Sequence, residues 1–200
     1  GHAIEARICA ENPDNGFLPA TGTLQVYRKP ACSSFSISDV RVDDGVREGD
    51  AISPFYDSMI AKLIVRGDTR GQALARLDTA LAHTQIVGLA TNVQFLRHVV
   101  KSNAFAQAKL DTALIEREKA ALFEQTAVPL PLAAAVAVAH QLQAEQALQG
   151  NDPFSRRDGW QSHATVQRGF EWLHGRTTVS AVLTYDRHGA LHLQVAAGGN

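Results

Sequence analysis

The sequence predicts an α+β chain: an antiparallel sheet with packed helices, followed by a long helix and a partial antiparallel β-barrel. Three observations carry this. Apolar and polar residues alternate at period two in the first third of the chain, the mark of half-buried strands. Capped stretches with apolar residues at helical spacing follow. Near Glu124 the texture changes to an Ala-rich helical run and then to short alternating segments separated by glycine turns.

"HAIEARIC" (2–9) alternates cleanly and reads as a strand. "ENPDNGFLPATG" (11–22) is dense in turn formers and reads as a loop. "TLQVYRK" and "SFSISDVRV" read as two strands joined by "PACS". "DDGVREGD" (43–50) is a double turn whose glycines supply positive φ. "YDSMIAKLIVR" (56–66) has few polar residues, so it is a central strand. Asp68 or Thr69 then caps a helix that buries Ala73, Leu74, Leu77, Ala80 and Leu81.

"QIVG" (85–88) is a short strand. Thr91 opens a second helix with Phe95, Leu96, Val99 and Val100 inward, and Asp111 caps a third, "TALIEREKAALFEQ". "TAVPLPL" (126–132) reads as a bend, "AAAVAVAHQLQAEQALQ" as a helix and "GNDPFSRRDGW" as a loop. "SHATVQRG", "FEWLHGRTTVSAVLTYD" and "ALHLQVA" read as hairpin strands, and the last runs into "AGGN" with no closing strand, as in a barrel or sandwich cut short. The domains expected are residues 1–123 and 124–200.

The 200 residues carry a net charge of −1, which argues against a general nucleic-acid surface and against polybasic membrane binding. No signal peptide is visible, and the chain begins inside a strand without an initiator Met, as a piece of a larger protein would. Its longest apolar run, Val128–Ala139, holds two prolines and falls short of the roughly 20 residues a membrane span needs. Cys9 and Cys32 form no CxxC pattern, so a reducing compartment and two buried small hydrophobes are expected. His188 and His192 are four apart but lie on turn and strand, where their side chains do not converge on a metal; no metal ligands are assigned. Phosphate-loop, dinucleotide and nucleophile-elbow patterns are absent. The 116–119 charge run reads as a solvated helix face, and the Glu5/Arg7 pair and "YDSM" as structural.

Arg41 stands at a strand end before the double turn. One reading is a surface arginine paired with Asp43 or Asp44. The other is a cation held beside a site, where a rigid fork of donors meets an oxyanion.

"GHAIEARICAENP…FLPATG", "VRVDDGVREGDAISPFYDSMIAKLIV", "LARLDTALAHTQIVGLATNVQFL" and "LIE" (114–116) together resemble the C-terminal domain of biotin carboxylase, in order and spacing, from Gly1 to about Phe123. "DPFSRRDGW" and the hairpins after it are similar to the linking domain of acyl-CoA carboxylase α-subunits. "RVDDGVREGD" and "TQIVGLATN" look most like 3-methylcrotonyl-CoA carboxylases, ligases of leucine catabolism, with geranyl-CoA carboxylases close behind and propionyl- and acetyl-CoA carboxylases more distant.

The resemblance implies ATP- and bicarbonate-dependent carboxylation of biotin, with Mg2+, and transfer of the carboxyl group by a separate carboxyltransferase β-subunit. It implies that Arg41 faces the ureido oxygen of biotin and that Thr112 lies near the adenine of ATP. Other nucleotide, magnesium and bicarbonate ligands, and the biotinylated lysine of the carrier domain, match nothing here, so the chain alone is expected to be inactive. A docking role toward the β-subunit, carried by the second domain, is the alternative. The implied compartment is the bacterial cytoplasm or the mitochondrial matrix.

Overall fold

Alternating residues build strand β1 (His2–Cys9) in the computed structural model, which describes residues 1–124, 128–152, 155, 165–174, 177–186 and 188–197. Short strands β2 (Glu11–Asn12), β3 (Leu18–Pro19), β4 (Gly22–Thr23) and β5 (Val26–Arg28) follow, then β6 (Val40–Asp44) and β7 (Ala51–Ile52). The long strand β8 (Met59–Gly67) leads to helix α1 (Arg70–Ala82), strand β9 (Gln85–Val87) and helices α2 (Val93–Lys101), α3 (Asn103–Ala106), α4 (Leu114–Arg117) and α5 (Lys119–Leu122). Helix α6 (Leu130–Ala147) and strands β10 (Val166–His174), β11 (Thr177–Tyr185) and β12 (Leu191–Ala197) complete the order. The chain divides into two compact units, residues 1–125 and 126–200.

In the first unit β8 is central and antiparallel to both neighbours, in the order β1-β8-β6. Alternation gives this sheet two faces of different chemistry. Ala6, Ile8, Val42, Ala61, Leu63 and Val65 are buried in one core with Leu77 and Leu81 of α1. Each fully buried leucine contributes about 1.5–3 kcal/mol relative to exposure. Thr69 is the α1 cap: its hydroxyl accepts the Gln72 N–H at 3.2 Å, and Gln72 Oε1 returns the contact to the Asp68 N–H at 2.6 Å. The other sheet face carries Glu5, Arg7, Lys62, Ile64, Arg41 and Asp43, with Arg41 opposite Ile64 and Asp43 opposite Lys62.

Several elements differ from their sequence expectations. "TLQVYRK" is not one strand: β4 pairs with β7 and β5 with β9. The chain changes partners around Leu24, which is fully buried. Gly88 makes that crossing possible, since at φ +116° a Cβ there would meet the Thr23 carbonyl at 1.9 Å. "SFSISDVRV" is strand only from Val40. Before it the Ser33 hydroxyl bonds the Ser36 carbonyl at 3.0 Å and the Ser38 hydroxyl at 2.7 Å, local bonds that compete with a ladder.

The second helix starts at Val93 rather than Thr91. The third is broken at Glu118 into α4 and α5. Propensity favours one helix there, but tertiary anchors override it. Leu114 and Leu122 are buried, the Leu122 carbonyl lies 3.0 Å from His98 Nδ1, and Phe123 packs on Phe95 and Phe17. Cys9 and Cys32 are free thiols and half-buried rather than buried, with Cys32 packed against the edge of the core.

In the second unit β10, β11 and β12 form a three-stranded antiparallel sheet. "SHATVQRG" and "FEWLHG" are not separate strands: β10 runs unbroken from Val166 to His174, and the residues before Thr165 in that stretch lie outside the described ones. Among the described residues β10 and β12 each pair on one side only, so the sheet is open and no closed barrel is formed. Val138 of α6 packs with Leu183 and Tyr185. The helix begins at Leu130, earlier than the expected bend allows, because Pro131 falls in its first turn, where its missing N–H has no partner to lose. Most of "GNDPFSRRDGW" lies outside the described residues.

Candidate functional site

Arg41 is the second residue of β6, near the start of the strand rather than at its end, with its side chain on the polar face of the sheet, opposite in direction to buried Val42. Ser33 brackets it from the open edge: the Ser33 N–H donates to the Val40 carbonyl at 3.0 Å, and the Ser33 carbonyl accepts the Val42 N–H at 2.9 Å. The guanidinium lies on Asp43. Nε stands 2.9 Å from both carboxylate oxygens and Nη2 2.6 Å from Oδ2. The surface pairing that composition suggests is thus present, and it takes the Nε side of the fork. Among the described residues no acceptor meets Nη1, so that side of the guanidinium is left to solvent or to an incoming oxygen.

Asp43 is itself held. Its Oδ1 accepts the Phe35 N–H at 2.8 Å, and Lys62 stands across the ladder. The Arg41 guanidinium holds the Asp43 carboxyl below the usual carboxylate range, with the Phe35 N–H adding to this. Asp43 in turn raises the Arg41 pKa above its ordinary value, so Arg41 stays a cation. The signal for this pair was in the sequence: an Arg-x-Asp step on a strand puts both side chains on one face. Phe35 gave no such signal, because its role rests on a backbone N–H.

Thr112 is exposed in the turn before α4, beside Asp111, whose carboxylate accepts the Ala113 N–H at 3.0 Å and Arg117 Nη1 at 2.8 Å. Its hydroxyl makes no hydrogen bond among the described residues, and nothing there brings it to Arg41. His192 Nε2 lies 3.5 Å from an Asp186 carboxylate oxygen, a surface pair. Among the described residues no group of three His, Cys, Asp or Glu side chains is placed to hold a metal ion, and no helix is long and apolar enough to cross a membrane.

Residues 5–117 match the family model described as the biotin carboxylase C-terminal domain. The chain belongs to this family. Among curated relatives, the alpha chain of mitochondrial methylcrotonoyl-CoA carboxylase from Oryza sativa subsp. japonica is 52% identical over 117 residues, 58% of this chain and 15% of that protein. Its counterpart in Rattus norvegicus is 32% identical over 204 residues, 98% of this chain and 28% of that protein. A pyruvate carboxylase subunit of Methanothermobacter thermautotrophicus is 42% identical over 116 residues, 58% of this chain and 23% of that protein. This chain therefore spans less than a third of the length of these relatives.

Among solved structures, the biotin carboxylase domain dimer of Hydrogenobacter thermophilus 2-oxoglutarate carboxylase, in complex with MgADP, ADP and bicarbonate, is 33% identical. The match has a TM-score of 0.56 and covers 62% of this chain and 26% of that one. The matched biotin carboxylase region, residues 5–117, contains both Arg41 and Thr112.

Proposed function

We propose that this chain is part of the biotin carboxylase subunit of an acyl-CoA carboxylase, and that Arg41 is its contribution to the reacting centre. The observation that carries the reading is a guanidinium clamped on one side by Asp43 and open on the other. Such a group is already charged and oriented, so it needs little reorganisation when negative charge builds on a nearby oxygen. Biotin, when bound, supplies the ureido nitrogen that takes up the carboxyl group. Arg41 then donates to the neighbouring ureido oxygen and holds the charge that develops there.

The open Nη1 side suits a planar carbonyl acceptor. The described residues offer no ligand set for magnesium, and Thr112 offers one exposed hydroxyl for an adenine contact. The remaining ATP, Mg2+ and bicarbonate ligands, and the carrier domain, belong in this reading to the rest of the parent, and the chain alone has no ATPase activity. Methylcrotonyl-CoA is the favoured acyl-CoA, because likeness to the rat methylcrotonoyl-CoA carboxylase protein extends over 98% of the chain. Geranyl-, propionyl- and acetyl-CoA carboxylases are the other candidates. Residues 1–123 serve the carboxylase site, in the mitochondrial matrix of a eukaryote or the cytoplasm of a bacterium.

A docking role for residues 124–200 toward the carboxyltransferase β-subunit is the second reading. The observation in its favour is that β10 and β12 keep one unpaired edge each among the described residues, and such edges invite pairing with another chain.

The test of the first reading is Arg41→Ala in the full-length enzyme. Biotin carboxylation falls about 10²–10³-fold, as loss of an oxyanion donor typically does, with ATP binding unchanged. Arg41→Lys restores only part of the rate, because a point charge lacks the fork. A wild-type rate in the alanine variant removes Arg41 from the site.

A further inference from the structure

We infer that Asp111 and Arg117 are positioning residues for the nucleotide: together they latch the turn that carries Thr112, and so set the affinity for ATP. The inference rests on the reading of Thr112 as an adenine contact and goes beyond it by naming what holds that residue in place.

Thr112 lies in a span with no core of its own: residues 109–113 are all exposed. Upstream the span is fixed where α3 ends. Arg70 donates from Nη2 to the Phe105 carbonyl and from Nε to the Ala106 carbonyl. The Lys109 N–H then returns to the Ala104 carbonyl at 2.9 Å, with Ala108 at φ +56°. Downstream the span is fixed by Leu114, which is buried. Between Ala108 and Leu114, among the described residues, Asp111 is the one side chain that makes hydrogen bonds.

The Asp111 Oδ1 accepts the Ala113 N–H at 3.0 Å, which closes a turn around Thr112. Both carboxylate oxygens accept from Arg117 Nη1, at 3.1 and 2.8 Å. The two residues are six apart, beyond the three- or four-residue spacing at which side chains meet on one helix. The pair therefore ties the turn to α4 instead of decorating a helix face. Thr112 is enclosed by both contacts. Folding stability does not account for the pair, since Arg117 and Asp111 are 46% and 55% exposed and so open an ion pair adds little. What the latch removes is the freedom of an exposed turn, so that a base arriving beside Thr112 meets a surface already set and binding loses less entropy.

The experiment is steady-state kinetics of the full-length enzyme with free biotin as acceptor. Asp111→Ala raises the KM for ATP by about 2–5-fold, the scale of an exposed ion pair. The kcat at saturating ATP, the KM values for bicarbonate and biotin, and the melting temperature stay unchanged, because the turn acts on nucleotide binding alone. Asp111→Asn keeps the Ala113 acceptor without the charge and falls between. Arg117→Ala matches Asp111→Ala, and the double variant loses no more than either single one, as members of one latch do. Arg117→Lys recovers most of the affinity, because a single nitrogen makes the contact.

An unchanged KM for ATP in Asp111→Ala, or fully additive losses in the double variant, overturns the inference. So does an Asp111→Ala enzyme that melts early and loses affinity for all three substrates in proportion, which assigns the pair to stability. Thr112→Arg separates the inference from the reading beneath it. A large side chain at an adenine contact raises the KM for ATP by roughly tenfold or more. If it does so while Asp111→Ala does nothing, the latch is wrong and the adenine contact stands. If neither variant moves the KM for ATP, the reading of Thr112 itself is defeated.

Discussion

Asn92 serves strand β1 across 83 residues of chain: its Oδ1 accepts the Cys9 N–H at 2.9 Å, and its Nδ2 donates to the Arg7 carbonyl at 3.0 Å. The register of β1 against β8 slips between Ile8 and Cys9, and the Asn92 amide supplies hydrogen bonds beside that irregularity. This occupation explains why Asn92, at the N-terminus of α2, makes no side-chain cap bond to its own helix.

Asn92 is only 7% exposed, so its removal leaves two backbone groups short of partners. Asn92→Ala therefore destabilises the protein by about 1–3 kcal/mol, the cost of an unmet buried hydrogen bond. Urea unfolding checks this as a lower midpoint with an unchanged slope. Asn92→Asp keeps the acceptor, loses the donor and falls between the two. An alanine variant as stable as wild type shows that water replaces the amide.

Glu145 and Arg168 tie α6 to β10 within the second unit. Arg168 Nη2 meets Oε1 at 2.8 Å and Nη1 meets Oε2 at 2.9 Å, a fork on a carboxylate that is only 11% exposed. Gln141 donates to the same carboxylate at 3.1 Å, and Arg168 lies over the Phe170 ring. Glu145→Ala strands the arginine and destabilises this unit by about 1.5–3 kcal/mol, the range for a hydrogen bond to a charged group; the partial exposure of Arg168 keeps it below the figure for a fully buried pair. Arg168→Met, which removes the cation and keeps the stem on Phe170, leaves Glu145 without its arginine and loses a similar amount. Thermal melting followed at Trp172 reads both.

Asp186 organises the β11–β12 turn by accepting the Ala190 N–H at 2.7 Å and the His188 N–H at 2.8 Å on one oxygen. Those backbone donors, Ala190 first, hold its carboxyl below the ordinary value. A carboxyl depressed on folding stabilises above its unfolded pKa, and that stabilisation is lost as pH falls through the folded one. Asp186→Asn keeps the acceptor without the charge, so wild type melts higher than Asp186→Asn near pH 6 and the gap closes below about pH 4. A gap that persists in acid assigns the difference to something other than this carboxylate.

Local patterning was enough for the two faces of the main sheet, the central place of β8, the Thr69-capped helix and the Ala-rich helix. Each depends on periodicity or on groups a few residues apart. The same periodicity placed Arg41 and Asp43 on one face, so the candidate site was half legible. What local patterning left open was whether the arginine stood free or paired, and what held its partner. Tertiary structure decided those points, together with the partner exchange at Leu24, the break at Glu118, the turning of Asn92 toward β1 and the capture of Arg168 by Glu145. In each case a side chain or backbone group chose between a near partner and one brought close by folding. The free energies of the two are similar locally, and only burial and geometry in the folded chain separate them.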